Sequence, residues 1–325
     1  MKRLYFIYNA GAGKALVKDR LCDILDMFTK AGYEVTVHPT QAARDAVSAA
    51  GYACAEEYDL LVCAGGDGTL NECIEGVMNS YTPVPIGYIP AGSTNDFAKS
   101  LGVPRGILNA VQWILDGSPV ACDIGSFNDR FFTYIVAFGA FTNVSYETSQ
   151  ALKNKIGHSA YLFSGVMSLN TIKDYRLRIE HCDTVFEDEF AYGMVSNTSS
   201  IGGLFSMSDF KLDDGIFEVT LIKRPTNPIQ LQRALSFLIS KDKNEANTDC
   251  VTYFRTSSIK ITSLDETPVT WTIDGENGGN SKTNSISNNH KAVVFMIGPQ
   301  SPKKVSNFSD ITPITDTDLD LDDEI

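Results

Sequence analysis

The first third of the chain alternates short apolar runs with stretches of helical spacing. "RLYFIYN" and "DLLVCA" are apolar at consecutive positions, as strands buried on both faces are, and "YEVTVHPT" and "VPIGYIP" supply two more strands. Between the first two strands, Val17, Leu21, Ile24, Leu25 and Phe28 recur at the spacing of one amphipathic helix, with Gly32 placed to cap its end. "QAARDAVSAAGYACAEEY" predicts a second helix. Further helices are expected to open directly after Gly65-Gly66-Asp67-Gly68-Thr69 and in "STNDFAKSLG". Strands alternating with helices imply right-handed crossovers and a parallel sheet covered on both sides. Ligands bind such sheets beyond the carboxyl ends of the strands, where these glycine turns gather.

From about Asp123 the pattern changes to period two. "YRLRIE" puts Tyr175, Leu177 and Ile179 on one face and Arg176, Arg178 and Glu180 on the other, and "FEVTLI", "SIKITSL" and "VTWTID" repeat the alternation. These strands predict a half-buried antiparallel sheet in a sandwich. Two helical segments interrupt it, "ALKNKIGHSAYLFSGVMSLN" and "NPIQLQRALSFLIS", while "NGGNSKTNSISNNH" reads as a polar loop between strands. The expected organisation is an α/β domain over 1–123, a β-sandwich domain over 124–299 and an acidic tail over 300–325. Part of 297–310 is expected to pack back on the first domain.

Composition narrows the function. The 325 residues, 43% of them hydrophobic, suffice for two domains with real cores. No apolar run reaches the roughly 18 residues of a membrane span, and "MKRLYFIYNAGAGKA" lacks a signal peptide's pattern. The seven cysteines are scattered and form no CxxC pair, which fits a reducing cytoplasm and indicates neither a disulfide framework nor a zinc site. A net charge of −13 argues against general nucleic-acid binding, though part of it sits in the terminal "TDTDLDLDDEI".

The glycine turns carry the chemistry. "GGDGT" follows a doubly buried strand and opens a helix, so its backbone N–H groups and dipole suit a phosphate. "PAGSTNDFA" repeats the arrangement one unit later, with Gly92 allowing close approach and Ser93, Thr94 and Asn95 able to cap the helix or bond a ligand. "NAGAGK" offers Asn9 and Lys14 but matches neither the P-loop nor GxGxxG, and a plain strand-to-helix turn explains it as well. Asp67, Asp96 and Asp123 could together hold Mg²⁺ through water; singly each is a cap or a surface charge. "DDG" at Asp213 to Gly215 has the composition of a hairpin turn. "WTIDGE" sets Asp274 and Glu276 at the end of a strand carrying bulky Trp271.

In this order, "GGDGTLNE", "PAGSTNDFA", "CDIG", "DDGIFEV" and "IDGE" resemble the diacylglycerol kinase catalytic family, closest to the bacterial diacylglycerol kinase B and YegS type, over nearly the whole chain to about Pro299. The resemblance implies an ATP-binding α/β domain of the NAD kinase/diacylglycerol kinase kind, a β-sandwich that helps bind lipid, and an active site in the cleft between them. It implies nucleotide contacts at Asn9, Thr40, Gly65, Gly66, Asp67, Gly68, Thr69, Leu70, Asn71 and Ser93. It implies a general base at Glu276 or Asp274, and a structural Mg²⁺ held by Asp214 with the carbonyls of Lys211 and Ile216. Asp67, Asp96 and Asp123 match the family's acidic network near the catalytic Mg²⁺. The expected reaction is ATP-dependent phosphorylation of a lipid hydroxyl, diacylglycerol to phosphatidic acid, in phospholipid biosynthesis. The expected setting is cytoplasmic with peripheral membrane contact, without nucleic acid, and with a possible homodimer.

Two other functions compete. An NAD kinase shares GGDG but phosphorylates a soluble ribose, and a catalytically silent lipid-binding protein would keep the fold alone. Lys153 and Lys155, near Tyr161, Leu162 and Phe163, are the candidate membrane contact, with a core helix as the alternative.

Overall fold

The computed structural model describes residues 1–12, 16–139, 173–197, 200–201, 205–206, 211–240 and 248–299. Lys14, the segment carrying Lys153 to Phe163, and the acidic tail lie outside the described residues. Two compact units are built from interleaved stretches. The first takes Met1–Ile124, Ser208–Asp214 and the chain from Asn289 onward; the second takes Gly125–Met207 and Gly215–Asn288. Residues 211–214 and 289–299, expected in a contiguous second domain, thus belong to the first unit.

In the first unit, β1 (Lys2–Tyr8) pairs in parallel with β2 (Tyr33–Pro39) and β3 (Leu60–Gly65), and β3 with β4 (Ile86–Pro90). The chain's C-terminal strand joins β4 in parallel through Phe295 opposite Ile86. All six residues of β3 are buried, as its unbroken apolar run requires. Each Leu or Val so buried contributes roughly 1.5–3 kcal/mol relative to exposure. The helices are α1 (Leu16–Asp19), α2 (Leu21–Lys30), α3 (Asp45–Ala55), α4 (Asp67–Met78), α5 (Asp96–Leu101) and α6 (Ile107–Leu115).

Two helix expectations need correction. The first helix is broken at Arg20, whose N–H bonds the Val17 carbonyl three residues back instead of four, so α1 and α2 are separate. The second begins at Asp45 rather than Gln41, because Arg44 adopts a left-handed backbone with φ 67°.

β5 (Ser118–Phe127) ends in the second unit, where Phe127 pairs with Arg130 of β6 (Arg130–Phe132). β7 (Ile135–Gly139), β8 (Tyr175–His181), β9 (Thr184–Phe190), β10 (Tyr192–Ser196), β11 (Ser200–Ile201), β12 (Phe205–Ser206) and β13 (Phe217–Ile222) follow. After α7 (Pro228–Ser240) come β14 (Val251–Thr256), β15 (Ser258–Ser263), β16 (Val269–Ile273), β17 (Glu276–Ser281) and β18 (Thr283–Ile297). One antiparallel sheet runs β14-β13-β10-β7-β16-β17, and β9-β8-β15 continue onto residues 283–287 of β18 in another. Their inner faces share a core that includes Phe132, Phe138, Leu177, Ile179, Phe217, Ile261 and Trp271, which makes the expected sandwich. The fold is thus a mostly parallel α/β unit followed by an antiparallel one.

"YRLRIE" alternates as expected, but "FEVTLI" is buried at all six positions. The polar tract expected to be a loop forms β17 and the start of β18 instead. Asn284 and Ile286 alternate inward there, and Asn284, only 1% exposed, accepts from the Asn128 amide, so a satisfied polar side chain occupies a core position.

Candidate active site

In the first unit the two glycine turns touch backbone to backbone. A Cβ added to Gly92 would lie 2.6 Å from the Gly66 Cα, so the second turn tolerates no side chain facing the first, whereas a Cβ on Gly66 would meet the Gly92 Cα at an ordinary 3.4 Å. The Ala91 N–H donates to the Gly65 carbonyl at 2.8 Å, and a Cβ on Gly65 would lie 2.7 Å from Thr69 Cβ. Gly66 precedes α4 in extended conformation, which leaves the first N–H groups of that helix for an anion. Leu70 is fully buried, so within 65–71 it serves the core with its side chain.

Asn9 ties the first turn to this one. Its N–H donates to the Ala64 carbonyl at 2.9 Å, its side-chain amide reaches Thr69 Oγ1 at 3.3 Å, and its Oδ1 accepts the Gly11 N–H. Thr40 follows β2 and donates its N–H to the Tyr8 carbonyl. Asn9, Thr40, Gln41, Ala42, Ala43, Thr69 and Glu72 line a polar cleft of about 230 Å³. Ser93 and Thr94 are exposed, and Asn95 shapes their turn: with φ 49°, it accepts the Gly92 N–H and donates to the Gly92 carbonyl.

The carboxylates of this unit are already engaged. Asp67 Oδ2 accepts the Asp96 N–H at 3.3 Å, and Asp96, 2% exposed, takes Lys99 Nζ at 2.6 Å. Fully buried Asp123 accepts from His290 Nδ1 at 3.0 Å and the Lys291 N–H at 2.8 Å on one oxygen. Among the described residues no three His, Cys, Asp or Glu side chains gather as a metal cluster, so the expected three-carboxylate grouping is absent. Lys211, Asp214 and Ile216 lie on a bend leading into β13, with Gly215 at φ 72°. Burial raises the neighbouring Asp213 carboxyl; Asp123 and Asp214 add to the effect, and Lys291 and Lys211 oppose it. Residues 207–210 lie outside the described residues.

In the second unit, Asp274 and Gly275, at φ 47° and 82°, join β16 to β17 in a two-residue turn of the type that matches strand twist. Asp274 Oδ2 accepts the N–H (2.7 Å) and hydroxyl (3.0 Å) of Thr133, and Oδ1 the N–H groups of Tyr134 (3.0 Å) and Ile135 (2.9 Å). The Tyr134 hydroxyl donates to the Asp274 carbonyl at 2.7 Å. Trp271, wedged against Phe127 and Phe138, fixes the strand before the turn. Glu276 is exposed at the first position of β17.

Residues 3–127 match the family described as the diacylglycerol kinase catalytic domain, and residues 135–293 the YegS C-terminal NAD kinase beta sandwich-like domain. A curated diacylglycerol kinase of Staphylococcus epidermidis is 36% identical over 96% of this chain and 98% of its own. The chain belongs to the diacylglycerol kinase family. It is therefore a kinase. A diacylglycerol kinase of Staphylococcus carnosus is also 36% identical, over 94% of this chain and 97% of its own. A solved structure described as a diacylglycerol kinase from Bacillus anthracis str. Sterne shares the fold, with a TM-score of 0.71 at 23% identity over 92% of this chain and 97% of that one.

Sequence reasoning did not single out Glu72, Arg44, His290 or the Thr133–Ile135 backbone. Donors from the backbone leave no trace in residue type, and Arg44 and His290 meet partners 28 to 167 residues away. Glu72 had one legible signal, its place in "GGDGTLNE" one helical turn past the glycines.

Proposed function

We propose that the protein transfers the γ-phosphate of ATP to a lipid hydroxyl, diacylglycerol becoming phosphatidic acid, with Glu276 as general base. The observation that carries this is the contrast within one turn: four donors occupy the Asp274 carboxylate, whereas Glu276 stands exposed two residues on. A carboxylate has roughly four acceptor sites, so Asp274 shapes the turn and has none left for a substrate proton. Glu276 takes the hydroxyl proton as that oxygen bonds to the γ-phosphorus and the bond to the β–γ bridging oxygen breaks, releasing ADP.

The first unit supplies the nucleotide contacts: Asn9, Thr40, the turn from Gly65 to Asn71, and Ser93. Mg²⁺ in kinase sites takes one or two carboxylates together with substrate phosphates and keeps water ligands, so a ready-made cluster is not needed. Asp67, at the start of α4, has the chemistry to hold it. When bound, the ion offsets charge on the transferred phosphoryl group. Asp214 is the candidate for a second, structural ion.

The acceptor class draws support from the relatives named diacylglycerol kinase. Among the described residues no helix is long and apolar enough to cross a membrane, so a bilayer substrate would be met from its surface. The test is transfer of label from γ-labelled ATP to a panel of diacylglycerol, ceramide, sphingosine and NAD. Labelled phosphatidic acid is expected; labelled NAD instead would assign a soluble kinase, and no labelled product a silent protein.

A further inference from the structure

We infer that Glu72 is a positioning residue for nucleotide binding, acting through the loop that forms the far wall of the cleft. The inference rests on the ATP reading above and concerns the first unit only. Glu72 lies on α4, and its two oxygens accept the N–H groups of Arg44 (2.9 Å) and Ala46 (3.2 Å). Those donors belong to the start of α3, whose N-cap residue makes no side-chain cap of its own. Glu72 therefore caps α3 from a neighbouring helix, satisfying donors that a helix start otherwise leaves open and countering its dipole.

The cap holds an unfavourable backbone. Arg44 at φ 67° is left-handed without being glycine, a conformation that persists only where surroundings enforce it. Glu75, one turn further along the same face of α4, grips the Arg44 guanidinium at 2.5 and 3.1 Å. Asp45 secures the other end of the loop, accepting the Gln41 N–H at 2.7 Å and contacting His38 at 3.2 Å.

Thr40, Gln41, Ala42 and Ala43 are the residues between these fastenings, and they face Asn9 and Thr69 across the cleft. Helix α4 thus begins in the glycine turn and, through Glu72, fixes the opposite wall as well. A side chain with both oxygens spent on backbone N–H groups is not a phosphate ligand, and its charge repels one. Its contribution is the width of the cleft.

The test is ATP binding by calorimetry, with turnover measured beside it, in wild type, Glu72→Ala, Glu72→Gln and Arg44→Gly. Losing two charge-assisted bonds to the loop should weaken ATP binding and raise its KM about tenfold in Glu72→Ala, with kcat at saturation within about twofold. Glu72→Gln keeps one good acceptor and should recover part of the loss, to about threefold. Arg44→Gly keeps the N–H that Glu72 accepts and relaxes the backbone, so its affinity should stay within about threefold. Unchanged ATP affinity in a folded Glu72→Ala protein, or a fall in kcat with affinity intact, would overturn the inference. Should Glu72→Ala fail to fold, unchanged affinity in Glu72→Gln would overturn it equally. Wild type that binds no ATP would instead sink the nucleotide reading, and this inference with it.

Discussion

Asp274 Oδ2 accepts both the N–H and the hydroxyl of Thr133, at 2.7 and 3.0 Å, across 141 residues of sequence. That pair joins the β16–β17 turn to the strand start at Ile135, whose own N–H goes to the other oxygen. Asp274→Asn puts an amide NH₂ against some of these donors in a site only 6% exposed. The variant should lose about 2–3 kcal/mol of stability, read as a clear fall in melting temperature. A melting temperature equal to wild type would show that the carboxylate is not what holds the turn.

Gly92→Ala should separate the glycine turns. Its Cβ would meet backbone, the Gly66 Cα at 2.6 Å, and backbone cannot move aside as a flexible side chain can. Overpacking of this kind costs about 1–3 kcal/mol, and ATP binding should weaken at least about tenfold. Wild-type affinity by calorimetry would mean that the two turns act independently.

Much of the first unit was legible because consecutive apolar runs and helical spacing are local signals, and "GGDGT" announces its turn by residue type. The departures came where a distant partner decides. Arg44 is held left-handed by Glu72 and Glu75, which shortens α3, and no periodicity in 41–55 encodes that. "NGGNSKTNSISNNH" looks like a loop because its strand positions are polar, yet Asn284 finds Asn128 and is buried satisfied. In "IDGE" the family resemblance implied two candidate bases, and only the hydrogen bonds from residues 133–135 tell the saturated carboxylate from the exposed one.

Chelation tests the bend at Asp214. If that carboxylate holds an ion, excess chelator should lower the melting temperature of wild type and leave Asp214→Ala unmoved, since an ion bound only to the folded state stabilises it by linkage. The same shift in both proteins would remove Asp214 from metal binding.

His181 should make the protein less stable in mild acid. Burial lowers its folded pKa below the ordinary 6.5, where it stacks on Phe254 with ring centroids 4.0 Å apart. Above 6.5 both folded and unfolded forms are neutral there; below it the unfolded chain takes the proton first, so stability falls as pH drops through the lowered folded value. His181→Phe keeps a ring in the stack and removes the proton site. The gap in melting temperature between His181→Phe and wild type should therefore widen from pH 7 to pH 5, and a constant gap would exclude His181 as a source of acid sensitivity.

The decisive comparison is turnover of diacylglycerol by Glu276→Gln, measured with ATP affinity and melting temperature on the same preparation. Glutamine keeps the size and hydrogen bonding of Glu276 but cannot take a proton, so turnover should fall by about 10²–10⁴-fold while ATP affinity and melting temperature stay at wild-type values. Near-normal turnover in that folded, ATP-binding variant would contradict Glu276 as the base.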